Sequence, residues 1–188
     1  MPGDVKLSCR NIWKVYGSAP GQFFATDVAR DGADALAIRM REGRHIPVAI
    51  DVGFDVHIGG TFVIMGFSGS GKSTVVRCLS RLIDPDHGQV LLDGEDLLAK
   101  TSRQMIDIRR HKIGMVFQNF GLLPHLNVID NIAFPLKLQG LPAAQQRERA
   151  AYVIDLVGLT GRENAYPRQL SGAQQQRVGI ARSLAVKP

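Results

Sequence analysis

Residues 66–73 read Gly66-Phe67-Ser68-Gly69-Ser70-Gly71-Lys72-Ser73, and Thr61-Phe62-Val63-Ile64-Met65 runs straight into them. This is the G-x-x-x-x-G-K-S pattern of a phosphate-binding loop, which has chemical meaning only between a strand and a helix. The apolar run predicts a buried parallel strand. Ser73 to Ile83 contains no Gly or Pro and predicts a helix. Glycines let consecutive backbone N–H groups point into one concavity, and a helix N-terminus adds partial positive charge there. Lys72 supplies a point charge for β- and γ-phosphates, and Ser73 a hydroxyl for Mg²⁺. Gly66, Ser68, Gly69, Ser70, Gly71 and Thr74 complete the candidate nucleotide-binding set. A Gly-rich turn between two core elements is the bland alternative. Motif and context together point instead to a nucleoside triphosphate.

The chain has 188 residues, 45% hydrophobic and 21% charged, which suits a globular domain with a real core and excludes bulk disorder. No apolar run approaches the ~20 residues that span a bilayer. Met1 to Lys6 lacks the apolar stretch of a signal peptide, so a cytosolic location is expected. Cys9 and Cys78 lie far apart with no C-x-x-C pair and are expected as buried small hydrophobes. The five histidines show no metal-ligand spacing. The net charge of +6 invites a polyanion. The basic residues are scattered, however, and the one dense run, Arg109-Arg110-His111-Lys112, ends a predicted helix, where cations favour the dipole. No nucleic-acid partner is expected.

Along the chain, Val5 to Cys9 alternates as a strand, 17–26 reads as a loop, and Asp27 to Glu42 as a helix stopped by Gly43. Val48, Ile50, Val52, Phe54, Val56 and Ile58 alternate strictly, predicting a half-buried antiparallel strand or hairpin pair. Gln89 to Leu92 with Asp93-Gly94 predicts a strand and turn. Ile113 to Phe117 predicts another buried strand, ending at Gln118. Helices are expected over 102–111, over 127–139 with Pro135 breaking or kinking it, over 142–157 with a stripe of Ala150, Val153, Ile154 and Val157, and over 172–186. Ser171 N-caps the last, with Val178, Ala181, Leu184 and Ala185 on one face.

Leu170-Ser171-Gly172-Ala173-Gln174-Gln175-Gln176-Arg177 follows Ser73 by 98 residues. With the phosphate loop, with Gln118 between the two and with Tyr16 after Lys14-Val15, it resembles the signature motif of ATP-binding cassette (ABC) ATPases. The resemblance covers nearly the whole chain. Val63 to Ser68, Met115 to Phe120, Leu123-Pro124-His125, Tyr166-Pro167 and the long segment between Gly17 and Val48 look like the ATPase subunit of glycine betaine/proline-type importers. The resemblance implies an α/β P-loop NTPase core with an antiparallel β region and a helical subdomain. It places the antiparallel region and phosphate-loop core in 5–118, the helical subdomain in 119–165, and the signature motif and helix in 166–188. It implies Tyr16 stacking on adenine, where the alternative is core packing, and Gln118 reaching Mg²⁺ or the attacking water. It implies Ser171, Gly172, Ala173 and Gln174 meeting the γ-phosphate of ATP held by a second, head-to-tail ATPase subunit. It also implies a transmembrane permease, docked through Asn119 to Val128, a substrate-binding protein reached indirectly, and a peripheral place on the inner face of the membrane. Phe120, Leu122, Leu123 and Leu126 suit either that docking groove or the subdomain core.

Two features depart from the family pattern. Ala173 stands where the signature usually has Gly, which is harmless if the residue is already helical and costs about 1 kcal/mol if it needs positive φ. The Walker B Asp, the catalytic Glu and the switch His find no counterpart in residues 1–188. Phosphoryl transfer needs metal placement and an oriented water, so the chain is expected to be a cassette incomplete at its C-terminus, binding ATP weakly and deficient in hydrolysis alone. Two other readings remain: a non-hydrolysing nucleotide-binding module, and a nucleic-acid-handling ABC ATPase. The latter is disfavoured by the short spacing between motifs and by 6% aromatics.

Overall fold

The computed structural model describes residues 4–25 and 32–187. Two compact units divide it, Met1–Met105 and Ile106–Pro188.

The first unit is built on a four-stranded antiparallel sheet in the order β2-β1-β3-β4, with β1 Val5–Tyr16, β2 Ile46–His57, β3 His87–Leu92 and β4 Glu95–Asp96. β1 is inner: Leu7 faces Val56 on one side and Leu92 on the other. Its register slips between Cys9 and Ile12, where Asn11 takes φ 49° and its Nδ2 donates to Asp51 Oδ1 at 2.8 Å. Ser8 and Cys9 pair in consecutive register and are both buried, and since neighbouring strand residues point to opposite faces, β1 is covered on both of its faces there. Asp93 and Gly94, at φ 52° and 79°, make the tight turn from β3 to β4 that their residue types favour. Helix α1, Ala33–Glu42, lays Leu36, Ala37 and Met40 on Trp13 and Val15. Residues 27–31 of the longer expected helix lie outside the described residues. Residues Pro20–Phe24 form a 3-10 turn whose Phe24 ring meets Trp13 edge-on at 5.8 Å. Helix α2 spans Lys72–Leu79, a turn shorter than expected. Helix α3, Ser102–His111, runs across the division after Met105 and carries Arg109, Arg110 and His111 in its last turn, as the dipole favours.

In the second unit α4 (Val128–Leu138), α5 (Ala143–Leu156) and α6 (Gly172–Ala185) share one core. Val128, Ile132 and Leu136 meet Ala150, Val153, Ile154, Val178, Ala181 and Ala185 there. Pro135 does not break α4, which runs a further turn beyond it. Leu184, expected on the buried stripe, is 41% exposed, because it lies about 120° round the helix from Val178.

Two expected strands are corrected. Thr61 to Met65 and Ile113 to Phe117 pair with no strand among the described residues. Val63 is 66% and Met65 85% exposed. Apolar content specifies a side chain's preference for burial, whereas a strand exists only through a neighbouring backbone. Consequently Gln118 does not end a strand. It lies in a turn closed by the Phe120 N–H donating to Phe117 O at 3.0 Å.

Candidate phosphate-binding site

The phosphate loop folds as its glycines require. Gly69 and Gly71 take φ 82° and 86°, in the left-handed region that costs other residues about 1 kcal/mol or more. At Gly71 the constraint is also steric, since a Cβ there would lie 2.2 Å from Val48 O on β2. The Lys72 ammonium folds back over the loop, donating to Gly66 O at 2.8 Å, Phe67 O at 2.6 Å and Ser70 Oγ at 3.3 Å. Three oxygens of the loop thus hold the one cation. The α2 ladder begins with the Val75 N–H donating to Gly71 O at 2.9 Å, so the N–H groups of Lys72, Ser73 and Thr74 have no helical partner and remain as anion donors. Ser73 follows Lys72 in the first turn, where its hydroxyl would be a candidate oxygen ligand for Mg²⁺. Beside the loop runs a groove of about 590 Å³ whose walls include Val48, Ile50, Phe62 and Val63. That lining is too apolar for a triphosphate, although Gly66, Ser70 and Lys72 also line it.

The second unit presents a second helix start. Ser171, at φ −64° and ψ 160°, accepts from the Gln174 N–H on Oγ at 3.3 Å, while Gln174 Oε1 accepts from the Ser171 N–H at 2.9 Å. This is a complete capping box. The ladder begins with Gln175 N–H to Ser171 O, which leaves the Gly172 and Ala173 N–H groups as open donors. Ala173 lies inside α6 without positive φ, so its departure from Gly carries no strain. Gln175 Nε2 reaches back to Pro167 O and Leu170 O, fixing the approach to the helix.

Tyr16 closes β1 opposite Ile46 and is 45% exposed. Its ring is therefore not core, and Lys14 Nζ lies 5.7 Å from its centroid. Phe120, Leu122, Leu123 and Leu126 are all half-buried, and Leu122 packs on the helical core. Cys9 and Cys78 are buried free thiols, as expected. Burial pushes Cys9 up to about 11 and raises Cys78 in the same direction. Among the described residues no group of His, Cys, Asp and Glu is arranged to hold a metal, and no helix is long and apolar enough to cross a membrane.

Two residues escaped the sequence reading. Asn131 is fully buried on α4 and bonded to the loop before it. An Asn beside Val128 and Ile132 on an apolar helix was the available signal. Arg182, a cation in the last turn of α6, looks like ordinary dipole complementation, yet it is turned onto the backbone after Gln118.

The ABC transporter family model matches residues 50–188. The trimethylamine N-oxide transport system ATP-binding protein of Ruegeria pomeroyi is 48% identical over 99% of this chain and 54% of its own length. The glycine betaine/proline betaine transport system ATP-binding protein of Salmonella typhimurium is 44% identical over 98% of this chain and 45% of its own. The chain thus spans about half the length of these relatives. Among solved structures, a dimeric bacterial ABC transporter cassette superposes with a TM-score of 0.80 at 31% identity, over 97% of this chain and 70% of that one. A dimeric post-hydrolysis cassette bound to ADP and phosphate gives 0.79 at 31% identity, with the same coverage. The phosphate loop, the capped helix at Ser171 and these similarities converge: the chain belongs to the ABC transporter family, with the P-loop NTPase fold of its ATPase cassettes.

Proposed function

We propose that this chain is the nucleotide-binding part of an ABC importer subunit for quaternary or N-oxide amines of the glycine betaine kind. The observation that carries the nucleotide reading is the Lys72 ammonium held over the loop by Gly66 O, Phe67 O and Ser70 Oγ. The substrate class is supported by the names of relatives at 44–48% identity.

In this reading the open N–H groups of α2 and the Lys72 charge bind the β- and γ-phosphates. Tyr16 stacks on the adenine, and Ser73 and Gln118 are the residues that would hold Mg²⁺. The Ser171 hydroxyl and the Gly172 and Ala173 N–H groups, with Gln174 holding the cap, meet the γ-phosphate of a second copy's ATP. Binding then favours a closed head-to-tail dimer and hydrolysis releases it, a two-state element biased by its ligand. The dimeric cassettes that superpose on this chain support that arrangement. A transmembrane permease takes the motion through the segment Asn119 to Val128, and a substrate-binding protein chooses the cargo. Mg²⁺ placement by a carboxylate and a base for the attacking water complete phosphoryl transfer. No carboxylate in residues 1–188 is assigned to either role, so the chain alone is proposed to bind Mg-ATP without turning it over.

The test is Mg-ATP binding and turnover on wild type and Lys72→Ala. Binding that the variant loses by roughly tenfold or more, with no turnover in either, is the expected result. Equal binding by the variant sinks the nucleotide reading. Turnover above the variant's sinks the account of the missing carboxylate.

A further inference from the structure

The Arg182 guanidinium lies on α6, ten residues beyond Gly172, and does not point into solvent. Its Nη1 donates to Gly121 O at 2.7 Å and its Nη2 to Phe120 O at 3.2 Å. Among the described residues no carboxylate pairs with it, and burial lowers its proton affinity from the usual arginine value. A half-buried cation neutralised only by two backbone carbonyls is an expensive way to fill space, and a fork of fixed geometry is a good way to hold two oxygens at once. Both carbonyls belong to consecutive residues in the left-handed region, Phe120 at φ 59° and Gly121 at φ 57°. For Phe120 that conformation persists only where its surroundings impose it.

The same turn runs close to α6 at two further places. A Cβ on Gly179 would lie 3.5 Å from Phe120 O, and one on Gly172 would lie 3.8 Å from the tip of the Phe120 ring. Phe120 thus lies along α6 from its first residue to the turn that carries Arg182. Gln118 is in the turn closed by Phe120 N–H and Phe117 O.

We infer that Arg182 is a positioning residue that clamps the turn carrying Gln118 to the signature helix, so that the Gln118 amide and the Ser171 helix start move as one piece. This rests on the nucleotide reading proposed above for its consequence, since a fixed Gln118 matters because it meets Mg²⁺. The clamp itself rests only on the contacts described.

The test uses the full chain with Arg182→Gln, Arg182→Lys, Gln118→Ala and the double variant Gln118→Ala/Arg182→Gln. Hydrogen exchange reads the clamp. In Arg182→Gln the amides of 118–123 are expected to exchange about tenfold faster while those of 143–156 stay unchanged. Arg182→Lys, which keeps the charge but not the fork, falls between. Nucleotide affinity with and without Mg²⁺ reads the positioning. ATP affinity in EDTA is unchanged in Arg182→Gln, whereas the gain conferred by Mg²⁺ falls about threefold or more. Gln118→Ala lowers the same gain, and the double variant loses no more than the larger single loss. A merely destabilised helix lowers both affinities together.

Exchange at 118–123 within about twofold of wild type in both Arg182 variants overturns the clamp. Faster exchange with an unchanged Mg²⁺ gain, or additive losses in the double variant, overturns the positioning role. If Arg182→Gln does not fold, Arg182→Lys decides by the same two readings. Failure of the wild type to bind ATP through Lys72 counts against the nucleotide reading alone, because exchange still reports the clamp.

Discussion

Asn131 is fully buried in the first half of α4, and its amide makes four hydrogen bonds. Oδ1 accepts from the Leu123 N–H at 2.8 Å, and Nδ2 donates to Leu123 O at 3.0 Å, Leu126 O at 2.9 Å and Asn127 O at 3.0 Å. Replacement by Ala does not orphan all four partners. Leu123 O keeps the Leu126 N–H at 3.1 Å, and Asn127 O keeps the Asn131 backbone N–H at 2.9 Å. The Leu123 N–H and Leu126 O lose their side-chain partner. Two such groups at about 1–3 kcal/mol each, in a loop whose leucines are half-buried and admit some water, place Asn131→Ala at about 2–4 kcal/mol of destabilisation. Asn131→Asp keeps an oxygen for Leu123 N–H but turns its second oxygen, and a charge, onto three carbonyls, so at neutral pH it costs more than Ala. Urea unfolding followed by helical circular dichroism measures both. An Ala variant within about 1 kcal/mol of wild type, or an Asp variant as stable as Ala, refutes the claim that this amide holds the 123–127 loop against α4.

Ser171→Ala removes half of the capping box at α6 and is expected to cost about 1 kcal/mol in thermal unfolding. Ala173→Gly, toward the commoner family residue, costs about 0.5–1 kcal/mol because position 173 is already helical, and a gain in stability overturns that placement. Cys9 gives a pH prediction. Its folded-state value of about 11 lies above its unfolded value near 9.0, so the unfolded chain ionises first. The stability it contributes is present below pH 9 and is lost as pH rises toward 11, by about 2–3 kcal/mol. Unfolding free energies from pH 8 to 11 check this against Cys9→Ala, and equal slopes in the two proteins refute it.

Helix starts were legible because they are written in local chemistry, whereas the end of α2 fell a turn short of Ile83. Ser102 to His111 was read at its observed bounds, and Ser171 was read as the cap that it is. Strands were legible only where alternation coincided with pairing. Val48 to Val56 alternates and lies in β2. Val63 and Met65 are as apolar as any residues in that strand and stand exposed, since nothing in a side chain announces which backbone lies beside it. Long-range polar contacts were the least legible. Arg182 and Gly121 are separated by 61 residues, and no local pattern links a cation late in a helix to two carbonyls after a Gln.

The legible part of the site and the legible part of the fold therefore coincide for a physical reason. A helix must begin with N–H groups that its own carbonyls cannot reach. At α6 the Ser171–Gln174 box satisfies the Ser171 and Gln174 N–H groups and leaves those of Gly172 and Ala173 open. At α2 the cap is Gly71, which offers no side chain at all, so the N–H groups of Lys72, Ser73 and Thr74 all stay open beside the Lys72 charge. The two helix starts thus differ in how many donors they leave free and in whether a cation stands with them. A side chain able to cap α2, such as Ser or Asp in place of Gly71, would both collide with Val48 O and consume a donor that the proposed nucleotide site uses. The residue that best stabilises a helix start is on this account the wrong residue for the phosphate loop, and glycine at 71 is required twice over.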